Sequence, residues 1–290
     1  MINKLVVEER ASDIGNFLVG RLLPFRQKRQ VGPFTFIDHM GPATIGPGKY
    51  IDVDQHPHIG LSTLTYLFEG QIEHKDSTGA VQIIQPGDVG FMTSGSGVTH
   101  TERTPSQLRN GKESVMHGYQ IWVALPKDME ESKPHFQYIA SANLPRWTQG
   151  NLELTLVAGK AFGKESPLRV HSPLFMMDLF SPADHDLDLH GRFEGEIAFV
   201  VAKGEVSDGT DRIGQGQMLI SKSEDQCKIK LTSGTRLMIF GGQPLPEPRY
   251  LYWNFVSSSK ERLEQAKRDW RDKKFPKVPG DNTYVPLPQF

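Results

Sequence analysis

Short runs of alternating apolar and polar residues recur along most of this 290-residue chain. Clear examples are STLTYLF (62–68), AVQIIQ (80–85), HGYQIWVAL (117–125), LELTLVAG (152–159), IAFVVAKG (197–204), QMLIS (217–221), CKIKL (227–231) and TRLMIFGG (235–242). A period of two is typical of half-buried β-strands, and glycines and prolines punctuate the runs. We therefore predict an all-β fold of many short strands, arranged as sandwiches or barrels.

Helical periodicity is nearly absent until the end of the chain. In SSSKERLEQAKRDW, Ser258 and Glu261 match a capping box, and Leu263, Ala266 and Trp270 then share one helix face. The proline-rich segment KKFPKVPGDNTYVPLPQF follows the helix. We predict that it forms an extended tail that packs on the body of the protein.

A faint internal repeat divides the strands into two sets. YLFEGQI (66–72) resembles FVVAKGEV (199–206), and QPGDVGFM resembles GQGQMLIS, so that Gly70 aligns with Gly204 and Gly87 with Gly216. Two copies of one β-unit fit the chain length. The predicted domains are an N-terminal barrel at residues 1–140, a C-terminal barrel at 141–250, and the helix and tail at 251–290.

Composition narrows the class of protein. The net charge of -1 and the lack of a clustered basic, aromatic platform argue against direct nucleic-acid binding. A single cysteine, Cys227, cannot form an internal disulfide, and its alternating context predicts a half-buried strand residue. The N-terminus does not resemble a signal peptide, and the apolar runs are too short to span a bilayer. We expect a cytoplasmic protein that binds no membrane.

Two pairs of polar residues stand out by their spacing. His56 and His58 are two residues apart, and so are His100 and Glu102. Residues two apart on a strand face the same side, so each pair can direct two side chains into one barrel interior. If the two strands lie across from each other, three imidazoles and one carboxylate converge. That donor set suits a first-row divalent ion such as iron, manganese, nickel or copper.

The alternative is that these histidines are ordinary hydrogen-bonded strand residues, which is the more frequent role of an isolated histidine. Two such pairs flanking a glycine-rich hairpin region favour the metal. Among the other histidines, His39 is interpreted as structural or as a hydrogen-bond partner of the ligands. His74 precedes a turn and is predicted to be exposed, whereas His117 and His135 are interpreted as structural.

Four segments of the first half carry a family resemblance. VGPFTFIDHMGP, HPHIGLSTLTYLFEGQIEHKDSTG, QPGDVGFMTSGSGVTHTE and GYQIWVALP together resemble the pirin family of bicupins. The resemblance is dense from Val31 to Pro126 and weaker through the second half. RYLYWNFVSSSKERLEQAKRDW is similar to the C-terminal end of a bacterial branch of that family.

The resemblance implies two cupin-type β-barrels, with a metal in the N-terminal barrel only. The implied metal ligands are His56, His58, His100 and Glu102. Fe²⁺ is the expected ion, with nickel, copper, manganese and zinc as alternatives. The C-terminal barrel is degenerate: Arg192, Ile229 and Leu231 stand near the positions that would carry ligands, and the alignment places His190 opposite His56.

One position departs from the family pattern. Many relatives carry a glutamate four residues after the second histidine, and here that position is Ser62. Serine is a poor ligand for iron, so Glu102 is expected to supply the carboxylate. The change at Ser62 is expected to affect the hydrogen bonding around the ligands or the charge at the pocket rim.

Two functions go with the resemblance. The first is a metal-dependent dioxygenase of the quercetin 2,3-dioxygenase type, which opens a flavonol ring with O2 and releases carbon monoxide. In that reaction Glu102 is the candidate catalytic residue, as general base for the flavonol hydroxyl. The alternative is a non-catalytic, metal-dependent sensor or regulator that docks a protein partner. A monomer is expected, because a bicupin already pairs two barrels in one chain.

Overall fold

The computed structural model describes residues 4–14, 17–221 and 228–288. Strands make up 53% of the chain, and one α-helix lies near the C-terminus, so the predicted all-β class is confirmed. Each of the eight alternating runs of the sequence coincides with a strand over its described residues. Cys227 lies outside the described residues.

The strands are numbered in chain order. The first twelve are β1 (Lys4–Glu8), β2 (Arg10–Asp13), β3 (Leu18–Leu23), β4 (Phe34–Ile45), β5 (Asp52–His58), β6 (Leu61–Glu69), β7 (Ile72–Asp76), β8 (Val81–Ile84), β9 (Val89–Thr93), β10 (Val98–Arg103), β11 (Ser114–Ala124) and β12 (His135–Ile139). The others are β13 (Arg146–Gln149), β14 (Leu152–Ala161), β15 (Lys164–Glu165), β16 (Leu174–Ser181), β17 (His185–Asp188), β18 (Glu196–Lys203), β19 (Glu205–Ser207), β20 (Arg212–Gly214), β21 (Gln217–Ser221), β22 (Lys228–Leu231), β23 (Thr235–Gly242), β24 (Tyr250–Tyr252) and β25 (Phe255–Ser257). The helix α1 spans Lys260–Arg271, and 3-10 turns lie at Ser106–Leu108, Lys127–Met129 and Ser141–Asn143.

The chain divides into two compact units. The first unit contains Ala11–Val19, Asp38–Ser141 and Pro246–Phe290, and the second contains Met1–Arg10, Gly20–Ile37 and Ala142–Leu245. The predicted domains 1–140, 141–250 and 251–290 are continuous in sequence, whereas these units are interleaved. One cause is the pairing of β1 with β21, which places the start of the chain in the second unit.

The strand order repeats between the two units. A four-stranded sheet β5-β10-β7-β8 in the first unit corresponds to the sheet β17-β22-β19-β20 in the second. The larger sheets likewise contain the successive neighbours β9-β6-β11 and β21-β18-β23. In the second unit both sheets contribute side chains to one apolar core, which includes Leu187, Val206, Leu219 and Ile229. The sequence repeat therefore corresponds to a repeated strand order.

Paired glycines mark equivalent turns of this repeat. Gly70 and Gly204 have φ values of 84° and 81°, in the left-handed region that favours glycine. A Cβ at Gly70 would lie 2.8 Å from the Val115 carbonyl oxygen, and one at Gly204 would lie 2.8 Å from the Thr235 Cα atom. Equivalent turns thus need glycine for both conformation and space.

The helix begins one residue later than the sequence predicts. Ser259, not Ser258, is the N-cap, and its hydroxyl accepts a hydrogen bond of 3.2 Å from the Arg262 backbone N–H. The backbone N–H of Ser258 donates instead to the carboxylate of Glu130, which belongs to a distant part of the chain. The predicted buried face is confirmed, because Leu263, Ala266 and Trp270 are its buried residues.

The segment after the helix runs along strand β5 of the same unit. Gln55 on β5 makes three hydrogen bonds to this segment. Its backbone N–H donates to Thr283 Oγ1 and its Nε2 donates to the Thr283 carbonyl, both at 3.0 Å. Its Oε1 accepts from the Val278 N–H at 2.7 Å. The Tyr284 ring stacks on Trp270 with centroids 4.5 Å apart. This tail is extended and packed, as the sequence predicts.

Within the described part of the chain, no helix has the length and apolarity needed to cross a bilayer. The cytoplasmic location and the monomeric state stay predictions.

Candidate metal centre

Two antiparallel strands, β5 and β10, carry the predicted ligands. His56 lies directly opposite His100, and His58 lies opposite Val98. Because side chains two apart on a strand face the same side, the three imidazoles share one buried face of this strand pair. The register between β10 and β5 shifts between His100 and Glu102, so that Glu102 lies opposite Val53. On the other side of β10, Glu102 lies opposite His74 on β7.

The three imidazoles are close enough to bind one ion. One nitrogen of each lies within 4.8 Å of one nitrogen of the others, and His58 Nε2 is 3.1 Å from His100 Nε2. The ring centroids of His56 and His100 are 4.3 Å apart. The side chains are 7%, 1% and 0% exposed for His56, His58 and His100. The structure thus brings together three of the four residues in one cluster.

Main-chain carbonyls orient two of these rings. His56 Nδ1 lies 2.8 Å from the Asp54 carbonyl oxygen, and His58 Nδ1 lies 3.1 Å from that of Asn254, between β24 and β25. A carbonyl can only accept, so in the neutral rings Nδ1 carries the proton and Nε2 keeps its lone pair. Both rings therefore offer a free Nε2 lone pair for ligation.

Burial keeps the imidazoles neutral. Desolvation lowers the pKa of His56 to about 4. The pKa values of His58 and His100 also fall well below the ordinary value, because of burial first and the neighbouring histidines second. Neutral imidazole is the form that binds metals. At neutral pH the three residues fit a divalent transition metal without first losing a proton.

Glu102 is a buried carboxyl beside this cluster. A second group of potential donors comprises His74, His100 and Glu102, whose ligand atoms lie within 4.8 Å of one another. Gln120 Nε2 donates to Glu102 Oε1 at 2.9 Å, and Thr65 Oγ1 donates to Gln120 Oε1 at 2.7 Å. Burial raises the pKa of Glu102 to about 7, and the Gln120 and Thr65 side chains offset part of that rise. The carboxyl therefore changes charge near neutral pH.

The prediction that His74 is exposed is wrong. Its side chain is 2% exposed, and its ring stacks on Phe136 with centroids 4.3 Å apart. His74 Nε2 lies 3.0 Å from Asp76 Oδ2, and His74 Nδ1 lies 3.4 Å from His100 Nδ1. The signal that sequence reasoning missed is the alternation in IEHKD, where Ile72, His74 and Asp76 are the buried residues.

Ser62 lies away from the ligands. It is fully buried, and its hydroxyl is 3.1 Å from Thr93 Oγ1. Successive residues of β6 alternate between faces, and it is Thr65, on the face opposite to Ser62, that reaches the Gln120–Glu102 pair. The expected effect of Ser62 on the hydrogen bonding of the ligands therefore has no direct contact to support it.

The structure pairs two of the remaining histidines with each other. His39 Nε2 lies 3.0 Å from His117 Nε2, and His39 stacks on Tyr119 with centroids 4.7 Å apart. Both histidines are buried. His135 lies on β12, where its Nδ1 is 3.4 Å from the Lys133 carbonyl oxygen.

Family models match both halves of the chain. One described as Pirin matches residues 16–123, and one described as Pirin C-terminal cupin domain matches residues 176–276. The chain belongs to the pirin family. A pirin-like protein of Caulobacter vibrioides is 44% identical over 290 residues, which cover 98% of this pirin and 99% of that protein.

Solved structures agree with the bicupin fold. The crystal structure of a quercetin 2,3-dioxygenase from Acinetobacter baumannii has a TM-score of 0.91 and 32% identity, covering 99% of this pirin and 95% of that chain. The bacterial pirin YhhW from Escherichia coli, solved in complex with nickel(II), has a TM-score of 0.64 and 19% identity, covering 83% of this pirin and 100% of that chain. The second likeness concerns the fold alone. The predicted family and fold are confirmed.

The second unit of this pirin has an apolar interior where the first has histidines. Leu187 on β17 stands opposite Ile229 on β22, and both belong to the apolar core of the second unit. Leu231 pairs with Val206 on β19, two residues after Gly204, whereas Glu102 pairs with His74 on β7, four residues after Gly70. With these glycines aligned, Ile229 takes the place of Glu102 and Leu187 that of Val53, and the match of His190 with His56 stays a prediction.

Proposed function

We propose that this pirin binds one divalent transition metal through His56, His58, His100 and Glu102, and that it opens the ring of a flavonol-like aromatic substrate with O2. The cluster of three buried, neutral imidazoles beside a buried carboxyl is the observation that carries this proposal. The likeness to a quercetin 2,3-dioxygenase at 32% identity supports the choice of reaction.

The donor set supports a first-row metal. Three nitrogens and one oxygen suit iron, nickel, copper, manganese or zinc better than they suit calcium or magnesium, which prefer oxygen ligands. Our proposal for the ion is Fe²⁺. When bound, such an ion supplies Lewis-acid chemistry that lowers the pKa of a nearby hydroxyl.

Glu102 is the proposed general base. A base works best when its pKa lies near the working pH, and in the metal-free protein burial brings the pKa of Glu102 to about 7, towards that condition. The Gln120 amide, held by Thr65, fixes the Glu102 carboxyl by a hydrogen bond to Oε1. The other oxygen, Oε2, is proposed to accept the proton of the substrate hydroxyl. Trp122, packed edge-on against His58 with centroids 5.1 Å apart, adds an apolar wall beside the ligands.

The test measures metal content and turnover together. Bound metal is removed from the purified protein with a chelator, and separate samples are then loaded with iron, nickel, copper, manganese or zinc. Each sample is assayed with quercetin for flavonol loss, O2 uptake and carbon monoxide release. We expect one carbon monoxide per O2 with at least one ion. His58→Ala is expected to lose both metal and turnover, whereas His135→Ala, a histidine on β12, is expected to retain both.

Two results would contradict the proposal. A filled site that turns over no flavonol with any ion would reject the dioxygenase and favour the alternative, a metal-dependent regulator that docks a protein partner. A stripped protein that takes up none of these ions would reject the metal centre itself.

A further inference from the structure

His100 is oriented by side chains, in contrast to the other two histidines. Where His56 and His58 each face a main-chain carbonyl, His100 Nδ1 faces His74 Nδ1 at 3.4 Å, and His74 Nε2 faces Asp76 Oδ2 at 3.0 Å. Asp76, His74 and His100 are 0%, 2% and 0% exposed. A buried chain of three groups therefore runs from a carboxylate to a ligand nitrogen.

The hydrogen bonds around Asp76 give this chain a direction. The Thr78 backbone N–H and hydroxyl both donate to Asp76 Oδ1, at 2.8 and 2.6 Å. Oδ2 faces only His74 among the hydrogen bonds described, and an ionised carboxylate can only accept. His74 Nε2 is then the donor, so His74 Nδ1 keeps a lone pair. That lone pair accepts from His100 Nδ1–H, which leaves the lone pair of His100 on Nε2, 3.1 Å from His58 Nε2.

We propose that His74 and Asp76 are positioning residues that hold His100 as its Nδ1-protonated tautomer and so present its Nε2 to the metal. The inference rests on the metal site of the proposed function but not on any reaction there. It assigns a role to the EHKD segment of β7 beyond closing a turn.

A competing arrangement would place a second cation among His74, His100 and Glu102, whose donor atoms also lie within 4.8 Å of one another. A neutral imidazole has only one lone-pair nitrogen. His100 could serve two ions only as an imidazolate, after losing a second proton. The Asp76 contact already explains the position of His74 without that cost.

The tautomers can be measured directly in the metal-free protein. Long-range ¹H–¹⁵N correlation spectra of ¹⁵N-histidine-labelled protein distinguish Nδ1-protonated from Nε2-protonated rings. We expect His100 to be protonated at Nδ1 and His74 at Nε2. Cobalt(II) or zinc(II) titrations then give the metal affinity and stoichiometry without any turnover.

Paired variants distinguish a loss of His100 orientation from a general disturbance of the fold. His74→Phe keeps the stacking on Phe136 but removes the acceptor, and is expected to mix the His100 tautomers and weaken metal binding about tenfold to hundredfold. His74→Asn restores an acceptor oxygen near the Nδ1 position, and is expected to recover the tautomer and most of the affinity. Asp76→Asn should resemble His74→Phe. Asp88→Asn, at a buried carboxylate bonded to Tyr138 and Ser141, is the matched control and should change neither readout.

The outcomes are decisive in both directions. An Nδ1-protonated His100 that persists in His74→Phe with unchanged metal affinity would overturn the proposal. Binding of two ions per chain, with only the second lost in His74→Phe, would overturn it in favour of the second cation. Failure of the dioxygenase reaction would leave the tautomer measurements intact.

Discussion

At the scale of single residues, the side chains of the proposed metal centre differ in their pKa values and so in their protonation state. The pKa of His56 lies at about 4, so its ring is neutral well below neutral pH, whereas the pKa of Glu102 lies at about 7. A metal ligand must be deprotonated to bind. Glu102 is therefore the proposed ligand from which a metal must displace a proton at mildly acid pH.

This difference predicts how metal affinity depends on pH. Below pH 7 the metal-free protein holds a proton on Glu102, and the metal must release it, so the affinity is expected to fall about tenfold per unit between about pH 6.5 and 5. Above about pH 7.5 Glu102 is already ionised, and the affinity should be flat. Competition titrations with a chromophoric chelator at each pH measure this slope.

Glu102→Gln is the control for the slope. It should bind metal more weakly at pH 7.5, because a ligand charge is lost, yet its affinity should stay nearly constant from pH 7 to 5. An unaltered slope in Glu102→Gln would show that another group carries the released proton.

The sequence predicted the convergence of the candidate ligands but not all of their neighbours. The His56/His58 and His100/Glu102 spacings predicted a convergent cluster because strand geometry alone places residues two apart on one face. His74 was missed because its partners, Asp76 and His100, come together only when β7 pairs with β10. The expected influence of Ser62 on the ligands has no direct contact behind it, because Ser62 lies on the face of β6 opposite to Thr65 and bonds to Thr93.

At the scale of elements, a buried ion pair holds the segment that orients His58. The side chains of Arg249 and Glu130 are 1% and 7% exposed, with Nε and Oε1 2.9 Å apart. Glu130 also accepts hydrogen bonds from the Ser257 hydroxyl and the Ser258 N–H. These contacts hold the two ends of the β24–β25 hairpin, whose turn contains the Asn254 carbonyl.

Removing the charge of Glu130 should therefore destabilise the fold. Glu130→Gln removes the buried counter-charge of Arg249 and leaves only the half-exposed Glu247, whose Oε2 is 3.5 Å from Arg249 Nη1, and we expect the free energy of unfolding to fall by up to about 3–5 kcal/mol. Urea denaturation measures the change. Glu165→Gln is the matched control, because Glu165 and Lys160 are 66% and 74% exposed and such surface pairs contribute about 0–1 kcal/mol. Equal effects of the two variants would contradict the structural role of the buried pair.

Elements were easier to predict than their ends. Period-two alternation identified strands because it reports burial of one face, which local sequence encodes. The start of the helix was displaced by one residue because Glu130, about 130 residues earlier in the chain, holds the Ser258 N–H outside the helix. No local pattern contains that partner.

At the scale of the whole molecule, the two units share a strand order but differ in the side chains of their interiors. In the first unit the interior of the smaller sheet carries histidines, and in the second the corresponding interior belongs to an apolar core with Leu187, Leu189, Ile229 and Leu231. The sequence indicated the duplication through its glycines.

Variants in the corresponding small sheets of the two units test this division of roles. His56→Ala is expected to abolish binding of the single metal, because it removes one of three nitrogen ligands. Leu187→Ala, on β17 in the corresponding sheet of the second unit, should keep one metal per chain but lower the free energy of unfolding by about 2–5 kcal/mol, because it leaves a cavity among fully buried neighbours. Metal content after dialysis and urea denaturation of both variants provide the comparison. If Leu187→Ala lost the metal, or if His56→Ala kept it, the histidine cluster of the first unit would not be the metal centre of the molecule.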